Sequence, residues 1–76
     1  MEGYVQEYSV YALNKEKTGK YFTVIFNFED KWGYKDSESV TQYVKAGERK
    51  RFYYRDVQED GNEIINWDYK IVPEKY

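Results

Sequence analysis

Arg49, Arg51, Tyr53 and Arg55 form an alternating run near the middle of the chain. In an extended strand all four point to one side. Arginines interleaved with an aromatic ring can clasp phosphates or other anions and can stack on flat groups. The plainer reading is a solvated sheet face whose arginines pair with acids on neighbouring strands, with Glu7, Glu63 and Asp68 as partners. A net charge of −2 favours the plainer reading. It lacks the long-range attraction that nucleic-acid binders use, which argues against a nucleic-acid partner. A second set is Trp32, Tyr34 and Tyr43. Exposed, these rings would make a platform for a carbohydrate or a partner protein, since they offer apolar area at small entropic cost. The plainer reading has Trp32 folding back over the sheet edge to cover a small core, and it is favoured.

The acids support less chemistry. Glu29 and Asp30 with Asp36 and Glu38 hold the residue types of a glycosidase pair. Such a pair needs a cleft with two carboxyls at a set separation, and a domain this small has little room for one. Asp56, Glu59, Asp60, Asn62 and Glu63 form an acidic stretch with oxygen ligands for calcium, but their spacing is not that of an EF-hand loop. Asp60-Gly61 is accounted for by turn chemistry. The chain has no cysteine and no histidine, so zinc centres and nucleophile–base pairs of the usual kinds are excluded. No glycine-rich phosphate loop is present. The expectation is a non-catalytic protein without a cofactor or metal.

These residues need strands to place them. The most apolar stretch is Lys20 to Asp30, where Phe22, Val24, Phe26 and Phe28 alternate with Tyr21, Thr23, Ile25 and Asn27. This period of two predicts the central strand of a β domain, with the phenylalanine face inward. Ile25 and Tyr21 would leave a partly apolar patch on the other face. A first strand is expected over 4–13, with Val5, Tyr11 and Leu13 inward. Asn14 to Gly19 reads as a polar loop. Gly33 can adopt a positive φ, so a four-residue hairpin connection is expected at Asp30 to Gly33. A third strand is expected over 34–44, with a bulge or loop at 36–39. A turn with Gly47 at its demanding position follows, and then a fourth strand over 48–57 with Phe52 and Tyr54 inward. After a turn at 59–62, a fifth strand covers 64–72 with Ile65, Trp67, Tyr69 and Ile71 facing the core. Pro73 has no N–H to donate and should end the pairing.

Five short-looped strands with no helical period predict one all-β domain spanning residues 1–76. It would be an antiparallel sandwich, or alternatively a small open barrel. Seventy-six residues bury only about 60% of their unfolded surface. Leu, Ile, Val and Phe are few, so the ten tyrosines must supply much of the core and keep their hydroxyls near water. No apolar run approaches the roughly 20 residues that span a bilayer. The residues after Met1 lack a secretory leader pattern, which taken alone favours a cytoplasmic home. Open sheet edges leave two expectations, a monomer or an edge-strand homodimer. Gln6 and Glu7 would blunt the first strand and Lys50 the fourth, leaving the third as the pairing edge.

Asn14, Thr18-Gly19, Val24, Phe26, Phe28, Asp30, Gly33, Val44, Ala46-Gly47-Glu48 and Phe52 follow one another in a recognisable order. Over Tyr8 to Tyr54 this pattern resembles the small immunoglobulin-like FxLYD domains of envelope proteins in Bacteroides-type bacteria. The Leu-Tyr-Asp of that name has no counterpart in Phe28 to Gly33. The resemblance implies an Ig-like sandwich acting as an extracytoplasmic module for protein interaction or spacing, periplasmic, lipoprotein-anchored or secreted. It implies no ligand, because turn and core residues carry fold and not chemistry.

Overall fold

The computed structural model describes residues 4–58 and 63–75. Among these the chain is all-β. Its strands are β1 (Tyr4–Leu13), β2 (Lys20–Asp30), β3 (Lys35–Val44), β4 (Arg49–Gln58) and β5 (Ile64–Pro73). They form two antiparallel sheets, one of order β1-β4 and one of order β3-β2-β5. The sheets stack as a small sandwich and do not close into a barrel. Strands of ten or eleven residues in only two layers make a long, thin body of 48 × 21 × 13 Å. Its radius of gyration is 14.7 Å, against about 11 Å for a compact domain of this length.

The core lies where the sheets overlap. Phe22, Val24, Phe26 and Phe28 of β2, with Val44 of the adjacent β3, cluster with Tyr8, Val10 and Ala12 of β1 and Phe52 of β4. β3 is one continuous strand through 36–39, without the bulge expected there. The inward face of β1 differs from expectation. Tyr11 and Leu13 point to solvent, and the side chain of Val5 lies outside the described residues. The register explains the reversal. Val10 pairs with Phe52 and Tyr8 with Tyr54, while Tyr11 and Leu13 pair with Arg51 and Arg49. Three arginines on alternate β4 positions cannot be buried without partners, so they hold β4, and with it β1, in this phase.

Two turns explain the loops. Asp30 N–H donates to the carbonyl of Tyr34, Gly33 N–H donates to the carbonyl of Asp30, and Gly33 has φ +88°. This is the hydrogen-bond pattern of a three-residue hairpin loop with glycine in the left-handed position, one residue shorter than expected. The buried Asp30 carboxylate accepts from the N–H groups of Trp32 and Tyr34. Between β3 and β4, Glu48 N–H donates to the carbonyl of Lys45 with Gly47 at φ +75°, as in a type II turn.

Asn14 ties the loops at one end together. Fully buried, it donates through Nδ2 to the carbonyls of Thr18 and Val44 and accepts from Glu16 N–H. Its backbone N–H donates to the carbonyl of Glu48, and its own carbonyl accepts from Gly47 N–H. One side chain therefore fixes the β1–β2 loop against the β3–β4 turn. The turn expected at 59–62 and the calcium ligands Glu59, Asp60 and Asn62 lie outside the described residues. No described helix is long and apolar enough to cross a membrane.

Candidate interaction surfaces

A sandwich of two strands on three leaves part of the larger sheet uncovered. The covering strands sit to one side. Gln42 of β3 donates to the backbone carbonyl of Arg51 on β4, and the tight β3–β4 turn joins the same edge. On the other side the Tyr8 ring of β1 lies 4.8 Å from Phe28 and 5.1 Å from Trp67 of β5. β1 thus ends the smaller sheet above the β2–β5 seam, and among the described residues no strand lies over the rest of β5.

This explains why β5 is not buried as expected. Val24, Phe26 and Phe28 pair with Ile71, Tyr69 and Trp67, so all of these point to the inner side. Ile71 packs on the core, yet Trp67 is 41% exposed and Tyr69 52%. Trp67 stacks on Phe26 at 6.2 Å and Tyr69 leans on Trp67 at 6.4 Å, so the core runs out into an aromatic shelf. Ile65 is exposed for a second reason. The register shifts between Glu29 and Asp30, so Asp30 pairs with Ile64, and Ile64 takes the core contact instead. Alternation counted along β5 alone cannot reveal a bulge.

The opposite flank differs in chemistry. There Asp36 and Glu38 sit on the inner side of β3, opposite Phe28 and Phe26. Inward-pointing charges guard an open edge against pairing. They also act on Tyr54. Burial pushes its hydroxyl above the ordinary value of 10.0, and the negative charges of Glu38, Asp56 and Asp36 push the same way. Of the four strands at sheet edges, β1 has the weakest guard. Its ten residues, Tyr-Val-Gln-Glu-Tyr-Ser-Val-Tyr-Ala-Leu, carry one charge, no lysine and no proline.

The outer face of the smaller sheet carries the arginine run. Arg49 lies over the Tyr11 ring at 4.6 Å and Arg51 over the Tyr53 ring at 4.8 Å, while Arg51 Nε donates to Ser9 Oγ. Two of the three expected acid partners are elsewhere. Asp68 belongs to the other sheet and accepts from Asn27. Glu63 precedes β5, and its carbonyl accepts from Lys31 N–H. Glu7 stands opposite Arg55 in register. Yet the ion pair found among the described residues is Lys20 with Glu16, in and beside the β1–β2 loop. For Arg49 and Arg51, stacking on tyrosine, which the sequence did not suggest, replaces pairing with carboxylates.

Trp32, Tyr34 and Tyr43 do not form one platform. Trp32 and Tyr34 stand in the β2–β3 loop, 68% and 74% exposed, and Trp32 has Lys31 over its ring and is not folded onto the core. Tyr43 lies at the far end of β3, about 30 Å away at strand rise. There it packs edge-on against Tyr21 at 5.3 Å and closes over Gly19. The outer face of the larger sheet runs from this tyrosine pair through a Thr23–Thr41 hydroxyl contact. It ends in a shallow, mainly polar concavity of about 480 Å³ lined by Asn27, Glu29, Lys35, Ser37, Asn66 and Asp68, with Phe28, Asp36 and Trp67 also bordering it. There Asn27 is engaged by both Asp68 and Ser37. The acids considered for catalysis are dispersed, with Asp30 inside its hairpin and Asp36 and Glu38 on the β3 flank. No group of three or more acids among the described residues is arranged to hold a metal ion. Compared with protein-family models, curated proteins and solved structures, the chain finds no match.

Proposed function

We propose that this chain is a non-catalytic module that binds another polypeptide by β-strand addition. The observation that carries this reading is the lightly guarded edge of β1 directly above the uncovered rings of Trp67 and Tyr69. An incoming extended segment would hydrogen-bond along the β1 edge that faces away from β4 and lay every second side chain on the shelf. That is the usual division of labour in strand addition, with main chain for affinity and side-chain pockets for specificity. The acidic inner flank at β3 opposes the same event on the other side, which gives the module one docking edge. An extracytoplasmic setting and an Ig-like ancestry are proposed with it, and they rest on the pattern from Asn14 to Phe52.

The test uses a synthetic peptide with the sequence of β1, residues 4–13, whose own alternation supplies an apolar face. Titration calorimetry is expected to detect binding to the wild-type domain and none to Tyr69→Lys, with both proteins melting alike. Equal binding to both proteins, or none to the wild type while sedimentation shows a monomer at every concentration, refutes the reading.

A further inference from the structure

We propose a second and independent site, an anion-binding face on the outside of the β1-β4 sheet that takes an acidic polysaccharide. Arg49, Arg51 and Arg55 follow one strand at separations of about 7 and 13 Å. The first two are oriented by stacking on Tyr11 and Tyr53, and Ser9 holds Arg51 from the neighbouring strand. Surface arginines normally lose much rotamer freedom when they bind, and here stacking has already removed part of it. None of the three guanidinium groups has a carboxylate within ion-pair distance among the described residues. Each therefore keeps fork donors for a sulfate or carboxylate group.

Two features favour a sugar polymer over nucleic acid. Arginine already occupies a face of each tyrosine ring, where a base would otherwise stack, and a net charge of −2 lacks the field that gathers nucleic acid from a distance. The half-exposed rings of Tyr11 and Tyr53, with Leu13 at the end of the row, offer apolar contact for the C–H faces of sugars. Sulfate and carboxylate share the recognition chemistry, and separate probes distinguish them.

The test measures binding of the whole domain to heparin, to polygalacturonate and to single-stranded poly(U) over a salt series from about 50 mM upward. Binding to heparin, to polygalacturonate or to both, tighter than to poly(U), is expected and identifies the anion. Arg49→Gln with Arg51→Gln should lower the slope of log affinity against log salt by about 2. Lys15→Gln with Lys17→Gln, the same charge change on the β1–β2 loop, should leave it nearly unchanged. Arg49→Lys with Arg51→Lys keeps the charge and loses the fork, and it should bind clearly more weakly than the wild type. The proposal is overturned by absence of binding at the lowest salt, by equal loss in the loop variant, by full retention in the lysine variant, or by tightest binding to poly(U). Melting curves for each variant establish that the fold is intact.

Discussion

Replacing Asn14 by alanine removes the one side chain that bonds both the β1–β2 loop and the end of β3. The Val44 carbonyl sits in the core with its bond to Asn14 fully buried, and without a partner it incurs a desolvation cost of about 1–3 kcal/mol. The Thr18 carbonyl and the Glu16 N–H are partly exposed, so water replaces much of what they lose. The total is about 2–4 kcal/mol, a large share of the roughly 4–11 kcal/mol expected for 76 residues. At about 4–8 °C per kcal/mol, the melting temperature should fall by roughly 8–32 °C. Asn14→Asp separates hydrogen bonding from volume. It fills the same space and can still accept from Glu16, but it turns an oxygen toward the Thr18 and Val44 carbonyls and should be at least as damaging. Thermal and urea denaturation followed by circular dichroism measure both variants. An alanine variant melting within about 3 °C of wild type, or an aspartate variant as stable as wild type, would refute the role assigned to Asn14.

Three further outcomes follow from the geometry. Trp32→Ala should change stability by less than about 0.5 kcal/mol, because the ring is exposed and outside the core; a larger loss on denaturation would return it to a capping role. Gly47→Ala should cost about 1–2 kcal/mol through backbone conformation alone, since a Cβ there meets nothing within 4 Å. Tyr54→Phe should flatten the alkaline limb of stability. A hydroxyl whose pKa is raised by folding contributes stability that is fully present below about pH 10 and is lost as pH rises through the folded-state value. Urea midpoints between about pH 8 and 11.5 that decline equally in variant and wild type would contradict this.

Much of the scaffold was legible because β2 alternates so cleanly. Its four inward residues, with Val44 and Phe52, are buried as the period of two requires. The strand boundaries moved by a residue or two, and the glycines at 33 and 47 took the positive φ their turns needed. The inward face of β1 was not legible, because both of its faces are mixed and only pairing with the arginine-bearing β4 decides between them. The exposure of Trp67 and Tyr69 was hidden for another reason. Alternation shows which side a residue faces, and says nothing about whether a second layer covers that side. The shelf follows from two strands stacking on three, which is a property of topology. The arginine face was half legible. The run itself stands in the sequence, but its pairing with Tyr11 and Ser9 needs the β1-β4 register.

The central claim concerns that shelf, and Trp67 can report on it directly. With Trp32→Phe, Trp67 is the only tryptophan left. Its ring is partly in water at the edge of the core, so covering it should shift its emission to shorter wavelength and protect it from an aqueous quencher. The account predicts that shift as the residue 4–13 peptide is added, and its absence when Tyr69→Lys is combined with Trp32→Phe. Unchanged emission and quenching while calorimetry records the peptide binding would place the docking edge elsewhere and contradict the account.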